Sequence, residues 1–140
     1  MKLLLDTHTF LWFTGGNPKL DAYARQLIEN TENERFLSIA SLWEISIKAS
    51  IGKLRLDITF PEMVSSHVND NAIKLLHIRA EHLDIVRSLP FHHKDPFDRL
   101  IIAQSLSENM PVLSRDEIFD DYANVQRIWG VANISGITPQ

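Results

Sequence analysis

The 140-residue sequence contains no cysteine. Its absence removes disulfides, thiolate metal sites and cysteine nucleophiles together, and points to a reducing, cytoplasmic setting. No apolar run approaches the length of a membrane span, and the apolar start MKLLL is interrupted by Asp6 before it could serve as a signal-peptide core. Low-complexity tracts, internal repeats and linkers are missing too. One domain over residues 1–140 is therefore expected, large enough to bury about two-thirds of its unfolded surface. There is no P-loop, no GxGxxG, no HExxH spacing and no GxSxG context for Ser38 or Ser41, which argues against nucleotide-cradling loops, zincin chemistry and a serine nucleophile. An excess of basic residues is also lacking. A formal charge of −4 argues against binding nucleic acid through overall basicity, while leaving room for a local basic rim.

What is present is an alternation of short apolar runs and helical patterns. Residues 2–5 read as a buried strand ending at Asp6, followed by strands over 35–39, 73–78, 112–114 and 125–129. Helices are expected over 7–13, 20–29, 41–52, 61–69, 80–89 and 96–109, with a short helical turn over 117–122 and an extended stretch over 54–60. Strands alternating with helices give an α/β fold with a central parallel sheet of four to five strands, covered on both faces.

The richest stretch is HHKDPFDRLIIAQ, residues 92–104. Pro96 suits the first helical position, which makes Asp95 the N-cap and puts Asp98 in the first turn. Phe97, Leu100, Ile101, Ala103 and Leu106 then recur at helical spacing. Ser41-Leu42-Trp43-Glu44 has the pattern of a capping box. Helix-end chemistry thus accounts for each acid singly. In an open parallel sheet, however, ligands sit outside the carboxyl ends of the strands. Asp6, Glu44, Asp95, Asp98 and Asp116 all fall just after a strand or in a first helical turn, so capping itself gathers them on one edge. Several negative charges there repel unless they share a cation. An all-oxygen set suits Mg²⁺ or Mn²⁺, and such ions, one or two, are the usual device for in-line displacement at phosphorus by an activated water.

Other residues carry weaker signals. His92 and His93 read as a loop pair near a phosphate site, and His8, His67, His77 and His82 as surface or locally bonded residues. Trp12, Trp43 and Phe97 lie on expected helices and read as core. Lys48, Lys53, Arg55, Lys94, Arg99 and Arg115 are candidates for a cationic rim; Lys48, Arg99 and Arg115 are the nucleic-acid-binding candidates, the two arginines standing beside the acids in sequence.

Four segments, LLLDTHTFLWF, SIASLWEISIKASIGKL, FHHKDPFDRLIIAQ and VLSRDEIFDDY, occur in an order that resembles the PIN-domain nucleases, most closely the VapC-like toxins of bacterial toxin–antitoxin systems. The resemblance implies a three-layer α/β/α fold, Mg²⁺-dependent cleavage of RNA, a cognate antitoxin and a homodimer. It carries the family's first acid to Asp6, the second to Glu44, the third to Asp98 and the fourth to Asp116, with Asp95 an additional acid. Asp120 and Asp121 lie close to Asp116, so Asp120 stays open as the fourth. The opening LLLDTHT also resembles haloacid-dehalogenase-like phosphatases, but their second aspartate, two residues after the first, is here His8. A PIN-fold binding module without catalysis is the remaining reading.

Overall fold

The computed structural model describes residues 1–130, so the last residues of the expected domain lie outside it. Five strands, β1 (Lys2–Leu5), β2 (Glu34–Ser38), β3 (Lys74–Leu76), β4 (Val112–Leu113) and β5 (Arg127–Ile128), form one parallel sheet in the order β3-β2-β1-β4-β5. The helices are α1 (Thr7–Thr14), α2 (Ala22–Glu29), α3 (Ile39–Ser50), α4 (Phe60–Met63), α5 (Ala80–Ser88) and α6 (Pro96–Glu108). A π-helical segment, Val64–Asn69, continues α4, and a 3₁₀ turn, Glu117–Asp121, follows β4.

β1 runs through the middle of the sheet because it can be buried on both faces. Leu3, Leu4 and Leu5 are all inaccessible, and alternate side chains leave a strand on opposite sides. Leu3 and Leu5 join Phe10 of α1, Ala24, Leu27 and Ile28 of α2, and Leu42 and Ile45 of α3 in one core. Leu4 joins Ile101, Ile102 and Ala103 of α6 with Phe119 and Tyr122 in the other. The sheet is therefore the middle of three layers. From β1 the chain builds outward through β2 and β3, then crosses back to place β4 on the far side of β1. This reversal opens a crevice at the carboxyl ends of β1 and β4, where open α/β sheets place their ligands.

Local chemistry departs from the sequence reading in three places. α3 starts earlier than 41: Ser38 is its N-cap, accepting from the Ala40 amide, so Ser41 and Glu44 lie within the helix and form no capping box. The extended stretch ends one residue early, since Phe60 already opens α4 after the Thr59 cap; Leu54, Leu56 and Ile58 before it pack on the rim of the first core. Trp43, read as core, is 54 % exposed on α3 and meets Phe97 edge to face at 5.1 Å. Among the described residues no helix is long and apolar enough to cross a membrane.

Candidate metal centre at the sheet edge

Asp6 follows β1 directly and caps α1, one carboxylate oxygen accepting from the Thr9 amide at 2.9 Å. Its other oxygen accepts from the Ser114 hydroxyl, just past β4. The register Leu5↔Leu113 explains this: it brings the residues after the two strands to the same level. Ser114 in turn accepts from the Asp116 amide at 3.0 Å, linking the loop of one acid to the carboxylate of another. Burial pushes the Asp6 carboxyl above its ordinary range, against the pull of the Ser114 and Thr9 bonds.

Asp95 caps α6 as expected, one oxygen accepting from the amides of Phe97 and Asp98 at 2.8 and 3.2 Å. Replacing it by alanine should lower stability by ~1 kcal/mol, read as a lower urea midpoint at unchanged slope. A midpoint equal to wild type would mean that the cap contributes nothing. Asp98, one helical turn in, is hydrogen-bonded to His93 Nε2 at 2.8 Å. Burial pushes its pKa up to about 6; the His93 bond opposes this, and the charges of Asp95 and Asp6 add to it. Asp98 thus senses carboxylates from both its own helix and the end of β1.

Glu44 comes from α3 and is buried. Its Oε2 accepts from Lys48 Nζ at 2.6 Å, and its Oε1 is buried with no partner. The Glu44 bond holds the Lys48 ammonium above its ordinary value, with the charges of Asp95 and Asp98 adding to the effect. Lys48 therefore faces the acids from α3 as their counter-ion, instead of standing free for phosphate.

Asp116 caps the 3₁₀ turn through the Ile118 amide and lines one cavity together with Asp6. Asp120 is held instead by Arg127, in two bonds of 3.0 and 2.9 Å. The five acids are thus gathered along one edge without closing into one shell. Among the described residues, the group whose potential ligand atoms all lie within 4.8 Å of one another is His93, Asp95 and Asp98.

The cationic rim needs correction at Arg99. Its side chain is buried, donating to the carbonyls of Pro90, Val86, Leu89 and His93 at 2.8 to 3.4 Å, and it lies 4.1 Å from the Phe91 ring centroid. It pins the loop that carries His93 and does not reach toward solvent. Arg55 pairs loosely with Asp57 at 3.7 Å, well exposed. Arg115 keeps its place, exposed and lining the cavity beside Asp6 and Asp116.

Residues the sequence reading passed over are Ser114, Thr9 and the precise partner of His93. Ser114 follows a strand at the sheet edge like the acids, but nothing marks a lone serine. The Tyr122 hydroxyl, accepting from the His93 amide at 3.0 Å, helps to fix the same loop.

Among the described residues the donors are carboxylate oxygens with one imidazole, His93, beside them; one of the oxygens, Glu44 Oε1, is buried without any partner, and the acids outnumber the single counter-ion Lys48. That combination suits a divalent cation. Comparison with known proteins identifies the family. The PIN domain profile matches residues 3–125. The chain belongs to the PIN-domain family. Solved structures with the same PIN fold include VapBC2 from Rickettsia felis bound to a DNA fragment from its promoter, with a TM-score of 0.68 at 16 % identity, covering 93 % of this chain and 100 % of that one. VapBC-1 from nontypeable Haemophilus influenzae gives a TM-score of 0.64 at 14 % identity, covering 91 % and 97 %. A search among curated protein sequences finds no match.

Proposed function

We propose that this PIN-domain chain is a divalent-metal-dependent endoribonuclease of the VapC kind, the toxin of a toxin–antitoxin pair that acts in the cytoplasm. The observation that carries the reading is the partnerless, buried Oε1 of Glu44 in a site where Asp6, Asp95, Asp98 and Asp116 share one sheet edge. Asp6, Glu44, Asp98 and Asp116 are the catalytic set, and Asp95 joins them as a metal ligand. Bound Mg²⁺ or Mn²⁺ would supply activation of water and charge stabilisation for in-line hydrolysis of a phosphodiester.

The side chains do the rest. Thr9 and Ser114 fix the Asp6 carboxylate in one orientation, and His93 does the same for Asp98. Lys48 holds Glu44 by its Oε2 and leaves the buried Oε1 without a partner. Because no serine, cysteine or lysine nucleophile motif is present, the bond to phosphorus is made by water, with no covalent enzyme intermediate. Arg127 occupies Asp120 on both oxygens, which favours Asp116 as the fourth acid. The phosphatase alternative gains no support, since His8 stacks on Trp12 where a second aspartate would be needed.

Purified chain incubated with mixed cellular RNAs should cut internally in Mg²⁺ or Mn²⁺ and stop when EDTA is added. Cleavage that survives EDTA, or none under any metal condition, contradicts the reading.

The antitoxin partner is proposed from the toxin–antitoxin assemblies that share the fold. Pairing of two copies is proposed as well, because Trp43 and Ile47 on α3 and Ile51 at its C-cap leave an apolar stripe exposed, and Leu83 another apolar site on α5. Light scattering at micromolar concentration should give twice the chain mass, and a strictly monomeric mass would count against the dimer.

A further inference from the structure

The cavity beside Asp6 and Asp116 carries more than carboxylates. It is an open cleft of about 840 Å³, within the ~300–1,000 Å³ range of small-molecule sites. Asp6 and Asp116 line it, and so do Trp12, Trp129, Lys19 and Arg115. Trp12 was expected to be core. It does pack on the first core, but it is only half-buried and turns the rest of its indole to the cavity. Trp129 meets it edge to face at 6.0 Å, and the His8 ring stacks on it at 5.7 Å. The Arg115 guanidinium and the Lys19 ammonium stand 5.7 and 6.0 Å from its centroid. Those distances lie at the outer limit of a cation–π attraction, so neither cation is tightly held by the ring.

Two indoles, one of them with loosely held cations over its ring that an incoming base could displace, beside the Asp6 and Asp116 carboxylates, match the alternation of base and phosphate in a single strand. We propose that this cavity is a nucleotide subsite. The base next to the scissile phosphate stacks against the Trp12–Trp129 pair, and Arg115 and Lys19 take the adjoining phosphate. The proposal rests on the ribonuclease reading and deepens it: the substrate region would be single-stranded and unstacked at the cut. The apolar and charged chemistry of the lining, not overall basicity, would then hold RNA to an acidic protein.

The test uses the RNA cut in the assay above, with an abasic ribose placed at each position flanking the cut in turn. Wild type should show one position at which loss of the base raises KM by roughly 5- to 150-fold with kcat little changed, the range for one base–aromatic stack. In Trp12→Leu the same abasic substitution should have no further effect, whereas Trp12→Phe, which keeps a ring, should respond like wild type. Arg115→Ala, at an exposed position that does not endanger the fold, should raise KM and flatten its dependence on salt. Equal KM for all abasic RNAs, or penalties from Trp12→Leu and the abasic site that simply add, would overturn the subsite.

A second readout stands apart from cleavage. Single-stranded decaadenylate titrated into wild type in EDTA should quench tryptophan emission, and Trp12→Leu should lose that quenching. If wild type cuts no RNA but this quenching is seen, the ribonuclease reading fails and the subsite stands. If RNA is cut while emission does not move, the cavity serves something else, such as a protein segment, and the subsite falls.

Discussion

Asp98→Asn is expected to be more stable than wild type when metal is removed at pH 7.5, and to have lost nearly all cleavage. The Asp98 carboxyl is pushed from 3.8 to about 6, chiefly by burial, so the folded protein holds that proton more tightly than the unfolded chain does. Its stabilising contribution is complete below the unfolded value near 4 and is lost as pH rises through about 6. At pH 7.5 the ionised group thus weakens the metal-free fold, by an amount on the order of 3 kcal/mol for a shift of this size. Asparagine keeps an oxygen for His93 and carries no charge. In EDTA its melting temperature should lie several degrees above wild type at pH 7.5 and converge with it near pH 4. In Mg²⁺ the order should reverse, because wild type gains from the cation and the variant loses most of that gain. Mg²⁺ affinity of wild type should also fall below about pH 6, as protons compete for the same oxygens. A variant that cuts RNA at the wild-type rate, or is stabilised equally by Mg²⁺, would reduce Asp98 to a helix-terminus charge.

Arg99→Lys is expected to lower stability by about 3 kcal/mol, although it keeps the charge, because charge-assisted hydrogen bonds contribute ~1.5–3 kcal/mol each and a lysine cannot span the fork. The guanidinium ties four carbonyls between Val86 and His93 and lies against Phe91. An ammonium reaches one or two of them and leaves the others short of a donor. The loop so released carries His93, so the Mg²⁺-induced rise in melting temperature should shrink in the same variant. Urea unfolding within 0.5 kcal/mol of wild type would show that water replaces the lost donors without penalty.

The sheet was legible because each strand that matters is a short apolar run between breakers, and β1 is buried on both faces. The acid edge was legible for a related reason. Residues that cap helices after parallel strands must lie at the carboxyl ends of those strands, so the pattern of caps already mapped the edge. Asp95 shows this most plainly, as both the cap of α6 and a neighbour of Asp98.

The errors have equally local causes. Ser41-x-x-Glu44 imitates a capping box, but β2 runs straight into α3 and Ser38 takes the cap three residues earlier, which buries Glu44 in the site. Arg99 was read by its charge. Its spacing of three and four to the buried Ile102 and Ala103 placed it on the inward face of α6, a signal available in the sequence. Ser114 and the His93–Asp98 bond depend on strand register and loop path, which no spacing encodes.

The most direct test of the metal centre is anomalous scattering from crystals soaked in Mn²⁺ at pH 7.5. The expected result is a peak in direct contact with carboxylate oxygens of Asp98 and Asp6, with Glu44 Oε1 turned toward it, and no such peak in Asp98→Asn crystals soaked alike. A sheet edge without a peak in wild type, or one equally strong in the variant, would contradict the assignment of these acids as the site of a catalytic cation.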